Sequence, residues 1–126
     1  MAEVLVVDDS KVMRDMVTAC LKPNASLQVT QASSGLAAIE QLSLKLFDVM
    51  VLDLNMPDIG GIEVVEFVRG QDRLRMLPIL IVTTRGDDSS RTAALAAGAS
   101  RYLTKPFAPE TILSEVAALL DVRSRA

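Results

Sequence analysis

The sequence predicts an α/β fold: a doubly wound parallel sheet of five strands with helices on both faces. Three observations predict it. Short β-branched apolar runs alternate with helical stripes from end to end, the composition supplies one aliphatic core, and a polar residue closes most of the apolar runs.

The elements follow in chain order. Val4-Leu5-Val6-Val7 is a short, bounded apolar run of the kind buried on both faces of a parallel sheet. Met13, Met16, Val17, Cys20 and Leu21 then fall on one helical face, and Pro23-Asn24 breaks the pattern. A weaker strand is expected over Leu27–Thr30, and a helix from about Ser34 to Lys45 after Ser33-Ser34-Gly35. Val49-Met50-Val51-Leu52 reads as the third strand, with a helix over Gly61–Arg69 beyond the breakers from Pro57 to Gly61. Ile79-Leu80-Ile81-Val82 is the fourth strand, and Asp88–Ala97 a helix ended by Gly98. Arg101–Thr104 is the fifth strand, and Ile112, Val116, Leu119 and Leu120 mark the last helix. No repeat, linker or low-complexity stretch interrupts this alternation, so residues 1–126 are expected to form one domain.

Composition narrows the function. Half the residues are apolar, too many for a disordered segment, and with no Trp, one Tyr and three Phe the core must be aliphatic. Net charge is −3 and the basic residues are scattered, which argues against a nucleic-acid or anionic-membrane surface. Cys20 is the single cysteine and is expected to be a buried core thiol. No apolar run approaches the ~20 residues of a membrane span, and no charged-then-apolar leader opens the chain, so the expected location is cytoplasmic. The chain has no His. That removes Ser-His and Cys-His catalysis and most zinc sites, and leaves carboxylates, hydroxyls and amines to carry any chemistry.

Ligands of doubly wound sheets bind beyond the carboxyl ends of the strands, where the winding reverses. Asp8 and Asp9 follow the first strand, Asp53 ends the third, Thr83 the fourth, and Lys105 comes just after the fifth. In the flavodoxin-like order 2-1-3-4-5 the first and third strands are neighbours, which brings Asp8, Asp9 and Asp53 together. Three adjacent carboxylates repel, and a hard divalent cation with oxygen ligands resolves the repulsion; Mg²⁺ suits a few carboxylates completed by phosphate and water. Asp9 admits a second reading, as a cap for the helix that follows. That reading is poor for Asp53, because Leu54-Asn55-Met56-Pro57 does not begin a helix.

Val6-Val7-Asp8-Asp9-Ser10, Asp53-Leu54-Asn55-Met56-Pro57 with Gly61, Val82-Thr83-Thr84, Ala97-Gly98-Ala99 and Lys105-Pro106-Phe107 together resemble the motif set of the response-regulator receiver family of two-component signalling. The match runs in order through essentially the whole chain. The 2-1-3-4-5 order is itself a property of that family, so the two expectations are not independent. The resemblance implies that Asp53 accepts a phosphoryl group from a sensor histidine kinase or a phosphotransfer protein. It implies Mg²⁺ held by Asp8, Asp9, Asp53 and the backbone carbonyl of Asn55. Lys105 is then the contact to the phosphoryl oxygens, after a cis Lys105-Pro106 bond. Thr83 is the hydroxyl that turns toward the phosphoryl group, and Tyr102 the aromatic switch residue that packs inward with it. The downstream target, a protein or an attached effector domain, is expected on the face made by the fourth helix, fifth strand and fifth helix.

Other positions bear on this expectation. Asn55 and Arg85 occupy the two variable positions that tune dephosphorylation in the family; Arg85 either pairs with the phosphoryl group or is solvated. Gly60 stands where Asp or Asn is common, which loosens the loop before the third helix, and Thr84 where a smaller residue is usual. Met13, Met16, Met50 and Met56 read as core filler, since nothing soft accompanies them as a metal ligand, and Phe107 as packing.

Two other classes compete. A Mg²⁺-dependent phosphohydrolase with an Asp nucleophile needs a second acid two residues after it, where this chain has Asn55, and commonly a substrate cap. A flavin-binding module needs a hydroxyl-rich phosphate loop after the first strand, where this chain has acids. The reading is therefore a signalling phosphoacceptor, not an enzyme acting on a separate substrate. The stretch Asp8–Arg14 leans toward a stand-alone regulator of the chemotaxis type, while residues 122–126, past the last helical stripe, leave the N-terminal part of a larger regulator open.

Overall fold

The computed structural model describes residues 1–125, with side chains placed through residue 121. Its elements alternate strictly: β1 (Ala2–Val7), α1 (Lys11–Leu21), β2 (Leu27–Ala32), α2 (Gly35–Leu44), β3 (Val49–Leu52), α3 (Gly61–Gly70), β4 (Ile79–Thr83), α4 (Asp88–Ala97), β5 (Arg101–Thr104) and α5 (Pro109–Arg125). All neighbouring strands are parallel, and the sheet order is β2-β1-β3-β4-β5, as the sequence predicts. α5 continues past the stripe that ends at Leu120 through Arg125, and Ala126 lies outside the described residues.

Alternation along the strands divides the core in two. Leu5, Val7, Met50, Leu52, Ile79 and Ile81 pack on one face against Ala38, Val64, Val65 and Ala94 of α2, α3 and α4. Val4, Val6, Val49, Val51, Leu80 and Val82 pack on the other against Val17, Cys20, Leu21, Ile112 and Val116 of α1 and α5. Strands buried on both sides show no polar alternation, which is why β1, β3 and β4 read as continuous apolar runs. Each fully buried Leu or Ile side chain contributes about 1.5–3 kcal/mol from removal of apolar surface from water. Burial also raises the Cys20 thiol above its ordinary range.

The first two strands run longer than their composition suggests. β1 begins at Ala2 and β2 reaches Ala32, because these residues are paired with each other's strand (Ala2 with Leu27, Val7 with Ala32) and not because they are apolar. Met16 corrects the expectation of a buried filler: it is exposed on α1, while Met50 is fully buried and Met13 and Met56 are half-buried. Phe107 packs at the margin of the α1/α5 core.

Arg69 ties together the ends of elements opposite the strand C-termini. Its guanidinium donates to the carbonyls of Gly98, Arg75 and Leu77 at 2.9, 2.9 and 2.7 Å, and burial pulls its pKa below the ordinary value. Gly98 has φ +120°, and a Cβ there would lie 2.8 Å from Arg69 Cγ, so both backbone and space require glycine.

Candidate functional site

Backbone pairing carries the polar residues to one edge. Asp8 N–H donates to the Ala32 carbonyl at 3.2 Å, Asp53 N–H to the Val7 carbonyl at 3.0 Å, and Lys105 N–H to the Thr83 carbonyl at 2.8 Å. Each bond continues a strand ladder by one residue, so the side chains that interrupt the apolar runs converge beyond the C-terminal ends of β1, β3, β4 and β5.

Asp8, Asp9 and Asp53 come together: one carboxylate oxygen from each lies within 4.8 Å of the others. Asp8 and Asp53 are buried and Asp9 is exposed. Asp9 does not cap α1. Ser10 does, its hydroxyl accepting from Met13 N–H at 3.2 Å, which leaves the Asp9 carboxylate to the cluster. Asp8 Oδ1 accepts from Ser10 N–H at 3.0 Å, and the Asp8 carbonyl accepts from Arg14 Nη1 at 2.8 Å.

Lys105 is the counter-charge. Its side chain is only 10% exposed, with Nζ 3.0 Å from Asp8 Oδ2 and 3.9 Å from Asp53 Oδ2. The Lys105-Pro106 peptide is cis. Burial raises the Asp53 pKa above its ordinary 3.8, and the Asp8 charge adds to the rise; Lys105 opposes it, as do the Thr83 hydroxyl and the Asn55 N–H. Asp53 Oδ1 is buried and has no hydrogen-bond partner among the described residues. Such an oxygen is costly unless a donor or a cation meets it. The donor set, three carboxylates and neighbouring backbone carbonyls, is all hard oxygen and fits Mg²⁺.

Thr83 is fully buried at the end of β4, and its hydroxyl accepts from Arg85 N–H at 3.3 Å. Tyr102 is buried in the α2/α3/α4 core. Its hydroxyl donates to the Arg85 carbonyl, and the guanidinium carbon of Arg91 lies 5.6 Å from its ring centroid. Arg85, Asn55 and Thr84 are exposed.

The β3–α3 connection is held from three sides. Gly61 N–H donates to the Leu54 carbonyl at 3.0 Å, and a Cβ on Gly61 would lie 2.4 Å from the Asp53 carbonyl oxygen, so α3 starts hard against the backbone of Asp53. Gly60 caps α3 with no side chain; Glu63 Oε1 reaches back to its N–H at 3.4 Å, the long limit of a hydrogen bond. Asp58 crosses to α2, accepting from Gly35 and Leu36 N–H at 3.2 and 2.9 Å. Backbone N–H groups facing its carboxylate, Leu36 first and then Ile59, hold the Asp58 pKa down to about 2. Sequence reasoning missed Asp58, Arg14 and Arg91. An acid after Pro57 reads as a local turn residue, and nothing in the sequence shows its reach to α2.

Two buried acids and one exposed, a largely buried Lys105 side chain and a buried threonine thus stand at the C-terminal edge of a 2-1-3-4-5 sheet. The family model for the response regulator receiver domain matches residues 4–117. The chain belongs to that family. Chemotaxis protein CheY1 of Helicobacter pylori is 34% identical over 119 residues, covering 94% of this chain and 96% of that protein. Response regulator MprA of Mycobacterium leprae is 40% identical over 119 residues, 93% of this chain and 50% of that protein. The structure of chemotaxis response regulator CheY4 of Vibrio cholerae superposes with a TM-score of 0.87 at 39% identity, over 94% of this chain and 98% of that one. This receiver thus resembles the whole of some response regulators and half of others. No helix among the described residues is long and apolar enough to cross a membrane.

Proposed function

We propose that residues 1–126 act as a single CheY-like receiver domain whose Asp53 accepts a phosphoryl group from a phosphohistidine of a sensor kinase or a phosphotransfer protein, with Mg²⁺ beside it. The observation that carries this reading is the buried, unpartnered Asp53 Oδ1 at the centre of the acid cluster, with Lys105 Nζ 3.9 Å from the other oxygen. A carboxylate oxygen of Asp53 attacks the phosphorus in line, the P–N bond to the donor imidazole breaks with its electron pair returning to the ring, and an aspartyl phosphate remains. When bound, Mg²⁺ supplies positive charge to the phosphoryl oxygens and offsets the repulsion among the carboxylates.

The chain's own residues do the rest. Asp8, Asp9, Asp53 and the Asn55 carbonyl would hold the metal. Lys105 opposes the rise that burial gives the Asp53 pKa and is within reach of the oxygens it would neutralise. The Thr83 hydroxyl, bonded to Arg85 N–H, is the group that turns toward the phosphoryl group, and Tyr102 follows through the same loop. Arg85 and Asn55 border the site and set the lifetime of the aspartyl phosphate. The output surface is the face of α4, β5 and α5, for a target protein or an attached effector domain, and a cytoplasmic location goes with this reading. Family membership favours a signalling role over a phosphohydrolase, and Asn55 stands where that enzyme's second acid would be.

The test is labelling with a radioactive phosphodonor, either a histidine kinase or acetyl phosphate. The parent should label in Mg²⁺ and fail in EDTA, and Asp53→Asn should not label at the acid-stable, alkali-labile acyl phosphate. Equal acyl-phosphate labelling of Asp53→Asn would overturn the assignment.

A further inference from the structure

The β3–α3 connection is a lobe closed at its neck and clasped at its far side. At the neck, the Gly61 N–H bonds the Leu54 carbonyl at 3.0 Å, and no Cβ fits between Gly61 and the Asp53 backbone. At the far side, both carboxylate oxygens of Asp58 are used on the first two amides of α2, Gly35 at 3.2 Å and Leu36 at 2.9 Å. Ile59 presses against the same turn: a Cβ on Gly35 would meet both the Ile59 Cβ and its carbonyl oxygen at 2.9 Å. Helix α2 does not need this acid to start. It has its own cap, Ser34, whose hydroxyl accepts from Ala37 N–H at 3.0 Å. The first two amides lack intrahelical partners in any helix, and here a residue from 22 positions or more along the chain takes them. The clasp is therefore better understood by what it does to the lobe. With Gly60 lacking a side chain and Glu63 at 3.4 Å, α3 holds the lobe at its neck through Gly61 and gives its far side little support.

We infer that Asp58 is a positioning residue for the metal site: by clasping the N-terminus of α2 it fixes the lobe that carries the Asn55 carbonyl. The inference rests on the proposed function, which assigns that carbonyl to Mg²⁺. Coupling of this kind is reciprocal. Metal held by the lobe must also quieten the first turn of α2, although α2 contributes no ligand.

The experiment compares the parent with Asp58→Ala, Asp58→Asn and Ser34→Ala, each at a temperature where its circular dichroism matches the parent. Mg²⁺ is titrated and followed by backbone amide shifts, and amide exchange at Gly35 and Leu36 is measured with and without the ion. Asp58→Ala is expected to bind Mg²⁺ about three- to tenfold more weakly, as loss of one cap-strength restraint would give. Asp58→Asn, which keeps one acceptor oxygen, should fall between. Ser34→Ala, which loosens the first turn of α2 but leaves the acid in place, should weaken Mg²⁺ binding less than Asp58→Ala, separating loss of helix from loss of the clasp. Mg²⁺ should slow exchange at Gly35 and Leu36 in the parent and not in Asp58→Ala. If the parent binds Mg²⁺ and Asp58→Ala binds it equally well, or if exchange at Gly35 and Leu36 ignores the ion, the inference is overturned while the metal assignment stands. If the parent binds no Mg²⁺, both fall.

Discussion

Replacing Lys105 with Met keeps most of the buried stem and removes the charge between Asp8 and Asp53. The pairs at 3.0 and 3.9 Å lie almost out of water, with side chains of 8–10% exposure. Two unit charges about 4 Å apart attract by roughly 4 kcal/mol at an effective dielectric constant of ~20. Removing one partner of a buried pair costs about 3–5 kcal/mol because the other charge is stranded. Protonation sets a ceiling on that cost. Bringing one carboxylate of ordinary pKa 3.8 to its neutral form at pH 7 takes about 4 kcal/mol, at ~1.4 kcal/mol per pH unit, and at pH 5 only about 2. The expected loss without metal is therefore about 3–4 kcal/mol at pH 7, shrinking to about 2 or less at pH 5. The sign agrees with the direction for Asp53. Its folded pKa is already raised and rises further without Lys105, so its contribution is present below 3.8 and is lost as pH rises through the folded value. Urea unfolding in EDTA at the two pH values measures this; with a slope of ~1.5 kcal/mol per molar, the pH 7 midpoint should fall by about 2 M. Mg²⁺ should narrow the gap by supplying the missing charge. Equal midpoints in EDTA at pH 7, or a gap that neither acid nor Mg²⁺ closes, would refute the role of Lys105 as counter-charge.

The remaining predictions concern single groups of the site. Gly61→Ala should destabilise and lower phosphorylation, against the usual gain of ~0.5–1 kcal/mol for Gly→Ala inside a helix, because its Cβ would sit 2.4 Å from the Asp53 carbonyl; thermal unfolding with the labelling assay decides it. Asp9→Ala should bind Mg²⁺ more weakly with the fold intact, since Ser10 carries the cap, and a Mg²⁺ titration matching the parent would remove Asp9 from the ligand set. Thr83→Ala should label normally yet lose phosphorylation-dependent target binding, since a hydroxyl contact worth about 0.5–1.5 kcal/mol suffices to bias a balanced loop and forms no part of the aspartyl bond. Full target binding by phosphorylated Thr83→Ala would sink that coupling.

What the sequence shows and hides follows from where each signal originates. β1, β3 and β4 were legible because burial on both faces forces unbroken apolar runs, and their C-terminal ends were legible because a polar residue closes each run. Asp8, Asp53 and Thr83 could be placed at one edge for the same reason, and Lys105 because it follows the fifth strand. The start of β1 and the end of β2 were not legible, since pairing with a neighbour extends them past their apolar residues. Met16 lies on the apolar side of α1 by periodicity, but α5 covers only the part of that face around Val17, Cys20 and Leu21. Asp58 was hidden for a different reason. Its partners are backbone amides of a distant helix, and an amide leaves no trace in side-chain pattern.

Under the proposed function, Arg85 gives a change at Asp53 a short route to the surface. Its N–H is held by the Thr83 hydroxyl and its carbonyl by the Tyr102 hydroxyl, so one residue joins the buried end of β4 to the aromatic ring on β5. The Thr83 hydroxyl has one proton to donate, and turning it toward a phosphoryl oxygen changes the direction of the lone pairs offered to Arg85 N–H. Any rotation of Arg85 moves the acceptor of Tyr102, and Arg91, which lies over that ring, belongs to α4. Under the proposed function the Arg85 backbone carries the coupling, and its exposed side chain does not. Substituting the side chain should alter the lifetime of the phosphoryl group more than the transmission of the signal. Thr83→Ala and Tyr102→Ala, which release the two ends of the same backbone link, should alter transmission more than lifetime.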